Sequence, residues 1–496
     1  MSRRRRTGLA GNTAILTVGT VVQTVIALVT VPLYLTELGE ERFGVFVVAG
    51  LVITYFGLLD RGLATAVQNE LARLGEEPRE RTTIVSTAVL LNVLVGLVAA
   101  LGVLVVGEIV FAKVIEIPEY LRTESVEALP ELAASVPLVM VSSIFSGSLI
   151  AQGRIATVSA IDTFRIVALQ LIPLGLVYWQ SPDLRWLALG VLVALALSMV
   201  AYATACFALV LRPIFWTAPS RAIALRLFHY GKWVTATSVL TPILDYSDRI
   251  VIGAVRGASA VTAYSIPYNL TARLTIIPFN VVRIAFPQFS AAGPEDSRAM
   301  ARRAFNAVAA VTAPLAVCGA ILAGPFFDWW LGARIAEQSA PIAAVLFAGF
   351  WVNGLGYVPY VLLQAQGRPD LPARYHTFEL VPFLVVLGLG VYLGGAMGAA
   401  IAWSFRALTD ALLLLVASSI GWRSRALVAT SAVVLVGAVS GAVFAFETTA
   451  LLAVGVPLVL LSLVCGWGLA PEEVREWFRG VRRPRRMHAS TEGDAT

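Results

Sequence analysis

Thirteen ionisable residues sit inside stretches that are otherwise apolar: Asp60, Arg61, Asp162, Arg165, Asp245, Asp248, Arg249, Arg273, Arg283, His376, Glu379, Arg406 and Asp410. A charge at the centre of a bilayer costs roughly 2.5–3.5 kcal/mol or more, so each needs a partner, a wet surface or a ligand. Spacing supplies some partners. Asp162 and Arg165 are three apart, and Asp245–Arg249 and Arg406–Asp410 are each four apart, so each pair shares a helix face and can neutralise itself. Arg273 has no acid at those distances; its neighbours there are Asn269, Leu270, Ile276 and Ile277.

Depth sorts the arginines further. Arg61 and Arg283 fall near the inner ends of their spans, where a long side chain can reach lipid phosphates. Arg249 lies toward the outer side, while Arg273 and Arg406 come out near the midplane. For these two there are two readings, a salt bridge to another helix (Arg273 to Asp245 or Asp410) or a watery cavity awaiting an anion. A guanidinium suits phosphate because its planar fork gives paired hydrogen bonds. Arginines match or outnumber acids in this set, which points to an anionic substrate; an exporter of lipophilic cations would want the reverse. Asp245, Asp248 and Asp410 are candidates for a proton or sodium site that couples transport.

Other chemistry is not supported. There is no Walker motif and no catalytic constellation, and no cofactor is expected. Cys206, Cys318 and Cys465 lie in separate apolar segments and His229, His376 and His488 are scattered, so no metal site is expected. Of 37 basic residues 35 are Arg, giving a net charge of +6, but their placement marks topology and not a nucleic-acid footprint.

The elements that hold these residues must be membrane helices. Of the 496 residues 58% are hydrophobic and 14% charged, and mean hydropathy is +0.80. Soluble domains carry about 25% charged residues. A span needs about 20 apolar residues, and on that ruler there are fourteen: 13–35, 43–65, 83–106, 131–150, 158–179, 186–211, 229–254, 261–286, 303–323, 340–364, 372–393, 396–420, 426–445 and 449–469. The run after Arg3–Arg6 is too long for a cleaved signal and no A-x-A site follows it, so it reads as the first span. Arginines collect in alternate loops, while Gly107–Pro130 is acidic, with Glu108, Glu116, Glu119, Glu124 and Glu127. The positive-inside rule then places both termini in the cytoplasm.

Ala151-Gln-Gly-Arg154, eight residues, then Thr163-Phe164 recurs as Ala365-Gln-Gly-Arg368, eight residues, Thr377-Phe378. Each copy separates two apolar runs, which predicts the hairpin between the fourth and fifth spans of two duplicated halves. Leu38-Gly39 with Phe43-Gly44-Val45-Phe46 is echoed by Gly257 with Ala263-Tyr264. Halves of six spans each must have the same topology, a parallel pseudo-two-fold repeat. The expected organisation is an amino-terminal lobe 1–222, a second lobe 223–421, two added helices in 422–470 and a basic cytoplasmic tail 471–496.

These features resemble the multidrug/oligosaccharidyl-lipid/polysaccharide exporter superfamily, and within it the prokaryotic polysaccharide and O-antigen flippases. The residues that carry the resemblance are Leu38-Gly39, Phe43-Gly44-Val45-Phe46, Tyr55–Leu63, Asp248–Gly253, Ile277-Pro278 and Phe286-Pro287. It implies an all-α carrier of the MATE-like fold in a prokaryotic plasma membrane, which moves isoprenoid-pyrophosphate-linked saccharides from the inner to the outer leaflet. Its partners would be the lipid-linked substrate, membrane lipids, a proton or sodium ion, and polysaccharide polymerases or glycosyltransferases; nucleic acid is not among them. On this reading Arg273 and Arg406 hold pyrophosphate or acidic sugars, Arg249 meets the substrate when the carrier opens outward, and Arg61 and Arg283 attract it at the inner portal. Many family members carry Leu at the position of Arg61. A multidrug/cation antiporter and a lipid II flippase are same-fold alternatives; a membrane glycosyltransferase would need a larger outer loop than Gly107–Pro130.

The topology has a direct check. In a cysteine-free background, a cysteine replacing Arg122 should react with an impermeant maleimide added outside intact cells, and one replacing Arg154 should react only after permeabilisation; the reverse pattern would invert the whole assignment.

Overall fold

The computed structural model describes residues 9–57, 61–73, 77–214, 216–420, 425–443 and 447–470, and their regular structure is helical throughout. In chain order the helices are α1 (Leu9–Gly57), α2 (Arg61–Arg73), α3 (Pro78–Ile109), α4 (Glu119–Glu127), α5 (Leu129–Ala151), α6 (Ile155–Trp179) and α7 (Leu184–Cys206). There follow α8 (Arg221–Thr271), α9 (Ile276–Ala291), α10 (Pro294–Leu331), α11 (Ala333–Ala365), α12 (Asp370–Ser418), α13 (Arg425–Val443) and α14 (Thr448–Leu469).

Nine of the described helices are long and apolar enough to cross a membrane. Three of these, α1, α8 and α12, are each two helices joined at one residue: Gly39 at φ 75°, Gly257 at φ 79° and Gly395 at φ 57°. Contacts across each break show that the chain folds back. Tyr34 stacks on Phe46 at 6.0 Å, the Tyr264 hydroxyl reaches Asp248, and a side chain at Gly398 would strike the carbonyl of Gly390. A straight helix rises about 1.5 Å per residue and could bring none of these pairs together. Each of the three therefore supplies two crossings, and with α13 and α14 every expected span has a described helix. The chain is a multi-pass, all-α membrane protein.

The repeated AQGR stretch is a helix stop. After α5, Gly153 N donates to Ile150 O and Arg154 N to Leu149 O, both at 2.9 Å. After α11, Gly367 N donates to Gln364 O at 3.0 Å and Arg368 N to Leu363 O at 2.9 Å. Both are Schellman caps, which satisfy the last carbonyls by placing one residue in the left-handed region. Gly153 and Gly367 occupy it at φ 71° and 73°, where a Cβ would be strained.

The segment Gly107–Pro130, read from sequence as a loop, is mostly helical: α3 runs on to Ile109 and α4 fills 119–127. This segment is laced to the Gly39 and Gly257 turns. Arg42 grips Glu124 with two hydrogen bonds of 2.7 and 2.9 Å, which hold its guanidinium above the ordinary arginine range. The Tyr120 hydroxyl donates to Glu41, Glu116 N to Gly253 O and the Thr262 hydroxyl to Glu40 O. At the opposite end of α3, hydroxyls near its start hold the connection to α8. The Thr82 hydroxyl donates to Ile214 O, the Thr217 hydroxyl to Thr83, and Ser220 N to Thr87.

Packing gathers the chain into two compact units, Met1–Ile266 with Leu380–Ala399, and Pro267–Glu379 with Ala400–Thr496. In the first, α5 packs on α2, α3 and α7, and α6 packs on α1 and α7. Leu380–Ala399 belongs there because Arg256 caps the first arm of α12, donating to Val391 O and Tyr392 O. In the second unit, α10 is central and packs on α9, α11, α13 and α14. The two added helices dock through glycines: Gly441 and Gly466 leave no room for a Cβ against the backbone of Ala320 and Ala310, the close approach that small residues allow between membrane helices.

Gly44 sits against α8 so closely that a Cβ would lie 1.9 Å from Ala258 O, whereas one at Gly50 would meet nothing within 4 Å. Because backbone cannot step aside as a flexible side chain can, Gly44→Ala should destabilise by about 1–3 kcal/mol. Thermal unfolding in detergent checks this, with Gly50→Ala as the variant that leaves the midpoint essentially unchanged or raised.

Candidate functional site

Of the residues singled out from sequence, the side chains of Arg61 and Asp245 and the whole of Asp60 lie outside the described residues. The others fall into three groups.

The first is on α8. Asp248 is fully buried and Arg249 is 3% exposed. Arg249 NH1 lies 3.2 Å from Asp248 Oδ1, which also accepts the backbone N–H of Arg249 at 2.8 Å. Tyr264, returned to this level by the Gly257 turn, donates to the other oxygen at 2.5 Å. The guanidinium stands 5.6 Å from the Tyr246 ring and 6.0 Å from the Tyr264 ring. Sequence spacing paired Arg249 with Asp245, whose side chain lies outside the described residues; the structure gives Arg249 the adjacent acid Asp248, with tyrosines packed around it. A buried charge so fully provided for is stable as long as both partners remain.

The second group lies along 271–291. The expected continuous helix 261–286 is interrupted by a 3-10 turn over Ala272–Thr275. Pro278 explains the break: it has no N–H, and its ring displaces the carbonyl four residues earlier, that of Leu274. Arg273 stands on this turn, half-buried, and a short 3-10 piece within a long helix often marks a hinge. Arg283, on α9, is exposed, in keeping with a side chain that reaches outward from the end of its span.

The third group was only partly legible. Arg406 and Asp410 lie on the second arm of α12, and two residues from the first arm meet them. His376 Nε2 is 3.4 Å from Asp410 Oδ1, and Arg406 NH1 is 3.9 Å from Glu379 Oε2. Arg406 also lies 6.0 Å from the Trp403 ring, and Tyr360 of α11 stacks on His376 with ring centroids 6.1 Å apart. The ion pairs therefore run across the hairpin, where sequence spacing offered only an Arg406–Asp410 pair along one arm. By contrast, Arg165 and Asp162 pair along α6 as their spacing implied, at 2.8 Å. His376 and Glu379 were visible as ionisable residues in a span, and as the places where the second repeat differs from the first, but nothing in the sequence joined them to the span 396–420. Among the described residues no group of His, Cys, Asp and Glu could hold a metal ion.

Residues 9–292, more than half of the chain, match the family described as Polysaccharide biosynthesis protein (Polysacc_synt). The chain belongs to this family. A similar protein, described as a putative O-antigen transporter of Shigella flexneri, is 28% identical over 419 residues, covering 80% of this chain and 94% of that one. Among solved structures, the lipid II flippase MurJ in an inward closed conformation superposes with TM-score 0.73 at 13% identity, over 95% of this chain and 100% of that one. An inward-facing multidrug resistance MATE transporter of the MOP superfamily gives TM-score 0.65 at 14% identity, over 80% of this chain and 94% of that one. These likenesses show that this member of the polysaccharide biosynthesis family has the MATE-like transporter fold.

The α8 group can be tested by removing its parts. Asp248→Ala removes one partner of a buried ion pair with Arg249 and should cost about 3–5 kcal/mol. Tyr264→Phe removes one hydrogen bond to a charged group and should cost less, about 1.5–3 kcal/mol. Folded yield and thermal midpoint in detergent report both, and equal losses would contradict this ranking.

Proposed function

We propose that this protein is a flippase that moves an isoprenoid-pyrophosphate-linked oligosaccharide from the inner to the outer leaflet of a prokaryotic plasma membrane. The observation that carries the reading is the family membership, extended by similarity to an O-antigen transporter across 94% of that relative's length. Substrate movement proceeds by alternating access of two six-helix lobes, residues 1–222 and 223–421, with the added helices 422–470 to one side and both termini in the cytoplasm. The lobes carry the same glycine-capped hairpins, which supports a duplicated scaffold that can rock about a shared site. Arg273 and Arg406 bind the pyrophosphate or acidic sugars, Arg249 contacts the substrate in the outward-open state, and Arg61 and Arg283 draw it to the inner portal. Asp245, Asp248 and Asp410 are candidates for the coupling-ion site, and polymerases or glycosyltransferases of the same polysaccharide are the expected partners.

Two same-fold readings remain open to the same assay. The MATE likeness favours a multidrug/cation antiporter and the MurJ likeness a lipid II flippase. Expression in a strain lacking its own polysaccharide flippase should restore surface polysaccharide. Arg273→Ala and Arg406→Ala should each reduce that export severalfold at normal membrane levels; full export by both variants would overturn the anion-binding role. Drug resistance without restored polysaccharide would instead favour the antiporter, and rescue of cell-wall growth the lipid II reading.

A further inference from the structure

Arg298, near the start of α10, has no place in the proposed transport cycle and no partner in the fold. Its Nε is buried without a hydrogen-bond acceptor, and among the described residues no carboxylate pairs with it. Its surroundings are well defined. One residue before it, Ser297 accepts a hydrogen bond of 3.3 Å from Gln366 in the second AQGR turn. One helical turn after it, Arg302 Nε donates to Ile420 O, just beyond α12, at 2.9 Å. At about 3.6 residues per turn the direction of Arg298 falls between those of Ser297 and Arg302. Its guanidinium therefore faces the crevice where the ends of α11 and α12 meet α10. The residue is only half-buried, so a ligand can reach it. A charged donor held inside protein without an acceptor is costly, and such a group calls for an explanation.

Three spans end at this level. Arg298 stands five residues before the span 303–323, Gln366 two residues after 340–364, and Ile420 closes 396–420. At about 1.5 Å per residue Arg298 lies roughly 7 Å outside the hydrocarbon. The headgroup layer is about 5–8 Å thick on each side of a core of about 30 Å, and its oxyanions are phosphates. The described charges of these elements at this level are Arg298, Arg302, Arg303 and Arg368 against Glu295 and Asp296, four guanidiniums to two carboxylates. Arg374 is matched by Asp370 at 3.6 Å. A positive surplus favours a headgroup whose phosphate is not offset by an amine of its own.

We propose that the crevice at Arg298 binds the phosphate of an anionic phospholipid. The Arg298 fork takes the phosphate oxygens in paired hydrogen bonds, and Arg302 and Arg368 add positive charge from α10 and the AQGR turn. Basic pockets between membrane helices hold headgroups in this way, and on the proposed topology this end faces the cytoplasmic leaflet, where anionic lipids gather. The bound headgroup fastens the second AQGR turn and the end of α12 to α10, so it stabilises the second unit. The site is independent of what the carrier transports.

The test uses the purified full-length protein in detergent with added phosphatidylglycerol, phosphatidylcholine or inorganic phosphate at equal concentrations. Phosphatidylglycerol should raise the thermal midpoint in a saturable way and remain as discrete adducts in native mass spectra; the other two should do neither. Arg298→Gln should weaken the phosphatidylglycerol response about tenfold or more and lose one adduct. Arg374→Gln removes the same charge from the same end of the unit and should retain both, which a merely general effect of charge would not allow. Arg298→Lys keeps the charge without the planar fork and should fall between Arg298→Gln and the unmodified protein; it carries the test if Arg298→Gln does not fold. Equal weakening by the Arg298 and Arg374 variants would overturn the site. An equal response to phosphatidylcholine would overturn the anionic headgroup, and a full response to inorganic phosphate would overturn the lipid and leave a free anion as the occupant.

Discussion

Hydrocarbon offers a buried charge three remedies: a counter-charge, a set of aligned dipoles, or a side chain long enough to reach water. The arrangement of this chain around its charged residues follows from how far each must go for its remedy. Asp162 finds Arg165 one helical turn away. Asp248 finds Arg249 beside it but needs Tyr264, which only the reversal at Gly257 brings within reach. Asp410 and Glu379 depend on the reversal at Gly395, which returns the second arm of α12 to His376. The positive-φ glycines thus do more than turn the chain between spans. They decide which charges can meet.

The two halves use this scaffold differently. In the register of the AQGR repeat, Asp162 and Arg165 correspond to His376 and Glu379. The first pair closes on itself. In the second half the local cation is gone and an acid stands in its place, so its complement has to come from the neighbouring arm, which provides Arg406 and Asp410. The same register puts Leu192 and Ala196 at those positions in α7. One half is therefore neutral within a single helix, whereas the other keeps its charges in a network that depends on the contact between two.

Much of this was readable in advance, and the reason differs from feature to feature. Hydropathy located the spans because a helix crossing lipid must be apolar for most of its length. The AQGR hairpins were legible because a Schellman cap needs glycine at one place, and a duplicated sequence repeats that need. Gly39 and Gly257 were noticed as an echo, but Gly395 was not, since it has no flanking similarity. The interruption at 272–275 could have been found from Pro278, and the helical content of Gly107–Pro130 was hidden by its charge. The pairs His376–Asp410 and Glu379–Arg406 were not readable. Residues more than twenty-five apart meet only through the rotation of two helices about their axes, which no local spacing encodes.

The hydroxyl contacts at the start of α3 have a bearing on how the chain is built. Thr82, Thr83 and Thr87 bond to Ile214, Thr217 and Ser220, so every participant in that seam is synthesised before α8 begins. The connection can be fastened down while the rest is still on the ribosome. The lacing around the Gly39 and Gly257 turns is different: Arg42 and Glu124 can join early, but Glu40 and Glu116 must wait for Thr262 and Gly253. Assembly of the first six crossings is thus finished at the end where α3 begins before it can be finished at the other, and the Gly257 hairpin is the last piece to be fitted to them.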